Sequence, residues 1–277
     1  MKSKTYKILA LSNLNDSTET ILKSTISLAK IINGEIHLFY VKQPTELIQM
    51  ENQLSAKRTI NREQIVTDKK IQNIVQPFID QYEVNIGYSF AFGNIKEEIE
   101  NVINEYKPDI VVLGKRKPKS VVLFGDSIIQ FVLKKHNGSI MIAADENPIE
   151  PNKHISLGFL NGLEEAFNLE FANDLLEHIQ KPMKAFKLVK NTKVDNQEKL
   201  PRNEKIVEYV FEHRDGALQN VSNYLSKSKV NLLCVDRTQE QSKGKTNHVI
   251  TDVKEAINEF NVSVLLSGVS KPIALNH

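Results

Sequence analysis

Short apolar segments alternate with amphipathic segments along residues 1–145 of the chain. The apolar segments read KILAL, EIHLFYV, VNIGYSFAF, PDIVVLG and SIMIAA, and their lengths are typical of buried strands. Between the first two, apolar residues recur at helical spacing over residues 21–32, and Asn33 and Gly34 then end the helix. This alternation predicts strand–helix–strand units on a five-stranded parallel sheet.

The connecting segments of this half are predicted to be helical. Asn15, Asp16 and Ser17 are expected to supply the N-cap of the first helix. A long polar stretch over residues 44–82 predicts one or two helices on the outside of the sheet. Further helices are predicted around residues 95–103 and over residues 124–136.

The second half of the chain repeats the first. KILALSNLNDS is echoed by HISLGFLNGLEE, and SIMIAADENPI at residues 139–149 aligns without a gap on SVLLSGVSKPI at residues 263–273. A repeat of this length indicates two whole domains, each with its own core. The elements of the second half are predicted at residues 155–160, 164–179, 183–189, 206–211, 218–225, 231–236 and 263–268.

The predicted architecture is therefore α/β, with two tandem Rossmann-like domains, each a doubly wound, five-stranded parallel sheet. The domains are expected to span residues 1–146 and 153–277. The polar, proline-containing segment 145–153 is expected to link them. Between its second and third strands the second domain has only the polar segment 191–205, so it is predicted to lack one covering helix.

Composition excludes several classes of partner. The chain has 36 Lys and Arg against 34 Asp and Glu, so no overall field favours nucleic acid or an anionic membrane surface. No segment approaches the roughly 20 apolar residues of a membrane span. Cys234 is the only cysteine, which excludes an internal disulfide and suits a reducing compartment. We expect a cytoplasmic protein.

The fifth strands, SIMIAA and SVLLSG, are apolar and lie at the edges of their predicted sheets. Exposed apolar edges favour pairing with another strand. Two matching edges in one chain can satisfy each other, so we expect the two domains to pair through their fifth strands. The sequence also allows a homodimer of two chains without specifying one, and it identifies no protein partner.

Several motifs together resemble a known family. KILALSNLNDS, PDIVVLGKR, LFGDS and the closing SIMIAA are similar to the universal stress protein family in its tandem form. This resemblance implies Rossmann-like domains paired through their last strands. In many members it also implies ATP bound by a glycine signature after the fourth strand: glycine, two residues, glycine, nine residues, then glycine followed by serine or threonine.

This chain departs from that signature. Gly114 matches its first glycine, but Lys117 stands at the second and the spacing to Gly125 is two residues short. Asp126 stands where a hydroxyl would donate to phosphate, and a carboxylate there repels a triphosphate. Nucleotide-binding members often carry an aspartate after the first strand, where this chain has Asn13. The resemblance therefore implies a degraded nucleotide site.

A basic cluster in the same loop favours the opposite interpretation. Lys115, Arg116, Lys117 and Lys119 could hold an anion through side chains rather than backbone amides. The alternative is a solvated loop that keeps the surface soluble. If a nucleotide binds, the candidate site residues are Asn13, Gly114, Lys115, Arg116, Gly125 and Ser127.

No residue is assigned a catalytic or metal-binding role. His213 and Asp215 are two potential ligands, which do not make a metal site. Cys234 is expected to fill the core, and His37 to be packed or hydrogen-bonded within a strand. After NLLCVD, the polar run to His248 offers no phosphate cradle.

The sequence thus predicts a non-catalytic, universal-stress-protein-like regulatory protein without a bound cofactor. The alternative is an ATP-binding module in the first domain, with slow hydrolysis. A third hypothesis is a scaffold that binds no ligand.

Overall fold

A computed structural model describes residues 4–43, 53–115, 125–161, 171–189, 206–237 and 253–268. The strands of the first half are β1 (Tyr6–Ser12), β2 (Gly34–Lys42), β3 (Ile86–Phe92), β4 (Ile110–Gly114) and β5 (Ser139–Ala143). Its helices are α1 (Thr18–Ile32), α2 (Gln53–Tyr82), α3 (Ile95–Tyr106) and α4 (Gly125–Lys135). The strands of the second half are β6 (Leu157–Leu160), β7 (Met183–Val189), β8 (Ile206–Glu212), β9 (Leu232–Val235) and β10 (Ser263–Leu266). Its described helices are α5 (Ala172–Glu177), α6 (Ala217–Lys227) and α7 (Val253–Glu259).

The described strands form one sheet of ten, in the order β3-β2-β1-β4-β5-β10-β9-β6-β7-β8. Pairing is parallel within each half. Each half has the same strand order, in which the first strand lies between the second and the fourth. The predicted α/β class and tandem doubly wound architecture are confirmed. The domain boundaries 1–146 and 153–277 stay a prediction.

The two halves meet through their fifth strands, as the sequence analysis expected. β5 and β10 run antiparallel, with Met141 opposite Leu265 at the middle of the paired segment. Both strands are buried along their whole length. The Ser263 hydroxyl also accepts a hydrogen bond of 3.1 Å from the backbone N–H of Ala144, just beyond β5. The junction is therefore a buried part of the sheet in which the two halves are joined by strand pairing.

Hydrophobic side chains pack on both faces of this sheet. On one face they pack under α1, α2 and α5, and on the other under α3, α4, α6 and α7. Each layer contains residues of both halves, because alternate residues of β5 and β10 point to opposite faces. Fully buried Phe159 and Phe186, on neighbouring strands, point into opposite layers. The core is thus continuous across the junction.

The helices agree with the sequence analysis in part. Residues 53–82 form the single helix α2, which contains Pro77. Of the helix predicted over residues 164–179, the described part is α5, and residues 162–170 lie outside the described chain. The sequence analysis did not predict α7. The helix predicted to be missing between β7 and β8 concerns residues 191–205, which also lie outside the described residues.

The predicted linker is anchored to the first half. In this linker, over residues 145–153, Ile149 is buried, and the Ile149 backbone N–H donates a 3.1 Å hydrogen bond to the Ser24 hydroxyl on α1. Lys30, also on α1, donates to the side-chain oxygen of Asn152 at 2.9 Å. Among the helices that the structure describes, none is long and apolar enough to cross a membrane.

Candidate functional site

A pocket of about 120 Å³ opens at the carboxyl ends of β1 and β4. Ligands of doubly wound sheets bind at such ends, next to the point where the strand order reverses. Helices α1, α3 and α4 and the end of β2 complete its wall. Its apolar lining residues are Leu11, Ile21, Phe39, Val41, Ile95, Ile99, Leu113, Ile128 and Ile129. Its remaining lining residues are Ser12, Asn13, Ser17 and Gly114.

The turn after β1 forms one side of the pocket mouth. Leu14 has a positive φ of 55°, which is uncommon for a residue with a branched side chain. Burial and a hydrogen bond stabilise this backbone conformation. The Leu14 side chain is buried, and the Leu14 backbone N–H donates to the Ser12 hydroxyl at 3.0 Å. The Ser12 and Thr18 hydroxyls are also hydrogen-bonded to each other at 2.8 Å. Asn13 is exposed at the tip of this turn.

The start of α1 differs from the expected N-cap. Ser17 occupies the N-cap position, but its side chain makes no capping hydrogen bond. Instead, the Ser17 hydroxyl and backbone N–H both donate to the side-chain oxygen of Asn15, at 2.7 and 3.1 Å. The Ser17 hydroxyl is therefore engaged within the turn.

Gly114 ends β4 at the bottom of the pocket. A Cβ added at this glycine would lie 2.8 Å from Cδ1 of Ile21 and 3.8 Å from the Ser17 hydroxyl. Contacts under 3.0 Å force a neighbour to move. The lack of a side chain at residue 114 thus lets α1 approach β4 closely. This packing gives the glycine a role that needs no phosphate.

Lys115 points away from the pocket, toward the second half. Its ammonium group donates to the backbone carbonyls of Asn258 and Phe260, at 2.8 and 2.7 Å. These carbonyls lie at the C-terminal end of α7, where the helix dipole favours a cation. Burial lowers the pKa of Lys115 below its ordinary value of 10.5. The cation that one interpretation of the sequence assigned to an anion is thus held at the junction of the two halves.

The other predicted site residues are only partly described. Arg116, Lys117 and Lys119 lie outside the described residues. Gly125 and Ser127 lie in the first turn of α4, next to the pocket-lining residues Ile128 and Ile129 on the same helix. The structure therefore brings Asn13 and Gly114 together at one pocket and takes Lys115 away from it.

The equivalent position in the second half carries a carboxylate. Ile110 pairs with Ser139 and Leu232 pairs with Ser263, so Asp236 follows β9 where Gly114 ends β4. The Asp236 side chain is buried and accepts a hydrogen bond of 2.6 Å from the Ser267 hydroxyl. This half thus has a buried acidic side chain at the position equivalent to Gly114. Residues 238–250, predicted to offer no cradle, lie outside the described chain.

Two further side chains that the sequence analysis considered, Cys234 and His37, are packed or hydrogen-bonded within the fold. Burial raises the pKa of the Cys234 thiol to about 12, in agreement with its predicted place in the core. Nε2 of His37 lies 2.8 Å from the Ser89 hydroxyl on the neighbouring strand, which confirms the prediction of a hydrogen-bonded histidine. Within the part of the chain that the structure describes, no group of three His, Cys, Asp or Glu residues could hold a metal ion.

Comparison with solved structures identifies the fold. The chain is similar to a universal stress protein from Archaeoglobus fulgidus DSM 4304, with 12% identity, a TM-score of 0.64, and coverage of 95% of this chain and 96% of that one. A protein of unknown function from Pseudomonas aeruginosa PAO1 is similar with 10% identity and a TM-score of 0.56, over 95% of this chain and 92% of that one. A candidate universal stress protein from Pseudomonas aeruginosa UCBPP-PA14 gives 9% identity and a TM-score of 0.53, over 95% and 92%.

These similarities are structural. No protein-family model matches the chain, and no curated protein matches its sequence. Each of these structures aligns with 95% of this chain, so the similarity includes both halves and the way they are joined. The chain therefore has the fold of a tandem universal stress protein.

Proposed function

We propose that the chain is a tandem member of the universal stress protein family and acts as a non-catalytic regulatory protein in the cytoplasm. Its role is in the response to stress, through contacts with other proteins or through a small ligand. Its former nucleotide site no longer holds a triphosphate. The tandem fold and the position of the pocket support membership of the family.

The placement of Lys115 carries this proposal. A triphosphate needs cations or converging backbone amides to offset its charge. Lys115 directly follows the pocket residue Gly114, yet its ammonium group is bound by two carbonyls of the second half. Among the described residues, every side chain that lines the pocket is uncharged. Releasing Lys115 to a ligand would leave the end of α7 without its cation.

A calorimetric titration with Mg-ATP tests the proposal. We expect no saturable heat at nucleotide concentrations far above micromolar, because none of the pocket-lining residues that the structure describes carries a compensating charge. A dissociation constant in the micromolar range would overturn it. Phosphate release, followed over hours with the same protein, tests the non-catalytic role. We expect release at the rate of buffer alone.

The second candidate function is an adenine-nucleotide binding module with slow hydrolysis. It is favoured by the position of the pocket and by the basic residues that follow Gly114 in the sequence. If Mg-ATP binds, Arg116→Ala should weaken binding, since Arg116 belongs to that basic cluster. Arg62→Ala is the matched control, because Arg62 is exposed on α2. Equal affinities of the two variants would remove the loop from the site.

A further inference from the structure

The pocket beside Gly114 has the size and surface of a site for a small apolar molecule. Of the thirteen lining residues that the structure describes, nine carry apolar side chains, and the pocket volume is about 120 Å³. In another protein, an engineered cavity of about 150 Å³ lined by Leu, Ile and Phe binds benzene. Sites for drug-sized ligands are larger, about 300–1,000 Å³. The pocket is therefore much closer in size to a single ring than to a drug-sized ligand.

The polar groups of the pocket are few and mostly engaged. The Ser12 hydroxyl is bonded to Thr18 and to the backbone of Leu14. The Ser17 hydroxyl donates to Asn15. The exposed Asn13 amide is left at the mouth to meet a polar group of a ligand. A charged ligand would lose hydration in this pocket without gaining an opposite charge from the described lining residues.

We propose that this pocket binds a compact, uncharged molecule about the size of one ring. Its apolar part lies between Ile21, Ile99 and Ile129, and a single hydrogen-bonding group faces Asn13 at the mouth. The inference rests on the proposed function, because it assigns a ligand class to the site from which a triphosphate is excluded. Burial of the apolar part supplies the binding free energy, since removal of apolar surface from water is favourable.

Benzyl alcohol is a suitable probe, and benzoate has the same ring with a negative charge. We expect benzyl alcohol to shift the methyl NMR signals of Ile21, Ile99 and Ile129 in a saturable manner. Benzoate should bind at least about tenfold more weakly, because its carboxylate would be desolvated without a partner. Absence of saturation by benzyl alcohol, or equal affinity of the two probes, would overturn the inference.

A pair of matched variants locates the binding. Ile129→Phe places a larger side chain in the pocket wall and should weaken benzyl alcohol binding by about tenfold or more. Ile65→Phe makes the same change at an exposed position of α2 and should leave binding unchanged. If Ile129→Phe binds as the unmodified protein does, the probe lies elsewhere and the inference fails. The methyl shifts of the unmodified protein decide the question even if this variant does not fold.

These experiments distinguish a failure of the proposed function from a failure of this inference. Micromolar Mg-ATP binding would overturn the proposed function, whereas the benzyl alcohol titration does not involve a nucleotide. Competition between the two ligands for the Ile21 and Ile99 signals would show a nucleotide site and would overturn both. Benzyl alcohol binding without any effect of Mg-ATP on these signals supports both.

Discussion

Lys115 and Arg237 occupy equivalent positions in the two halves, and each binds the end of the last helix of the other half. Lys115 follows β4 and donates to carbonyls at the end of α7. Arg237 follows β9 and donates to the carbonyls of Leu133, His136 and Gly138 at the end of α4, at 2.7, 3.1 and 3.2 Å. The antiparallel pairing of β5 and β10 brings each cation to its helix. The two contacts hold the halves together from both sides of the junction.

Arg237→Ala should destabilise the protein. The substitution removes hydrogen bonds from a half-buried guanidinium group to three carbonyls at a helix end. Hydrogen bonds to charged groups contribute about 1.5–3 kcal/mol, so we expect the free energy of unfolding to fall by about 2–3 kcal/mol. Urea denaturation followed by circular dichroism measures this loss.

Arg214→Ala is the control for that substitution. Arg214 is exposed and forms an ion pair with its near neighbour Glu212. Exposed ion pairs contribute about 0–1 kcal/mol, so this variant should lose little stability. A similar loss in both variants would show that the contacts of Arg237 are no more important than an ordinary surface pair.

Gly114→Ala should also destabilise the protein, because the new methyl group would collide with Ile21. Because the nearest atom is the terminal Cδ1 of Ile21, which can turn aside, we expect a loss of about 1 kcal/mol, the lower end of the range for overpacking. Ile21→Val removes Cδ1, the atom closest to the new methyl group, so the double variant should recover part of the loss. Gly87→Ala is the comparison, because its added Cβ would meet its nearest atom, Nδ1 of His37, at 3.3 Å, which is tight but a smaller overlap than at Gly114. The four variants are Gly114→Ala, Ile21→Val, the double variant and Gly87→Ala, and thermal denaturation measures their stabilities. If Gly114 serves packing against Ile21, the double variant should lose less stability than the sum of the losses of its two single variants.

Much of the fold could be predicted from the sequence because each strand is a short, continuous apolar segment. The repeat then gave the tandem arrangement, and the apolar fifth strands indicated their pairing. The short helix α7 was not predicted. Its buried residues Val253, Ala256 and Ile257 have helical spacing, but they span little more than one turn and follow a long polar run.

The position of the pocket could be predicted, but the destination of Lys115 could not. The pocket lies at the ends of β1 and β4, as expected for a doubly wound sheet. Lys115 binds carbonyls 143 and 145 residues away along the chain. This contact depends on the orientation of the paired fifth strands and on a helix that the sequence analysis did not identify. In the sequence alone, Lys115 is one member of a basic run.

Ser263→Ala should weaken the junction of the two halves. The Ser263 side chain is fully buried and accepts the N–H of Ala144. Loss of this acceptor leaves a buried donor unsatisfied, which costs about 1–3 kcal/mol. The amide hydrogen of Ala144 should also exchange faster with solvent. Ser226→Ala is the control, since Ser226 is exposed on α6 and its hydroxyl donates to a carbonyl of its own helix, that of Ser222. Unchanged exchange at Ala144 would contradict the prediction.

His136 should make the protein sensitive to acid. Its ring is buried at the end of α4, where Arg237 also binds, and within the described chain its Nε2 has no hydrogen-bond partner. Burial, and to a lesser extent the positive charge of Arg237, lowers the pKa of His136 from 6.5 to about 4. The unfolded chain therefore binds a proton at a higher pH than the folded protein does.

Stability should consequently fall as the pH decreases from 6.5 to about 4, by about 3 kcal/mol from this group. His136→Phe removes the titrating ring and copies the second half, where Phe260 occupies the equivalent position and is also buried. Urea denaturation of both proteins across this pH range measures the effect. As the pH falls, the unfolding free energy of the unmodified protein should decrease more than that of His136→Phe. His213→Phe makes the same substitution at an exposed site and is the control. Parallel pH profiles of His136→Phe and the unmodified protein would mean that His136 is protonated as readily in the folded state as in the unfolded chain.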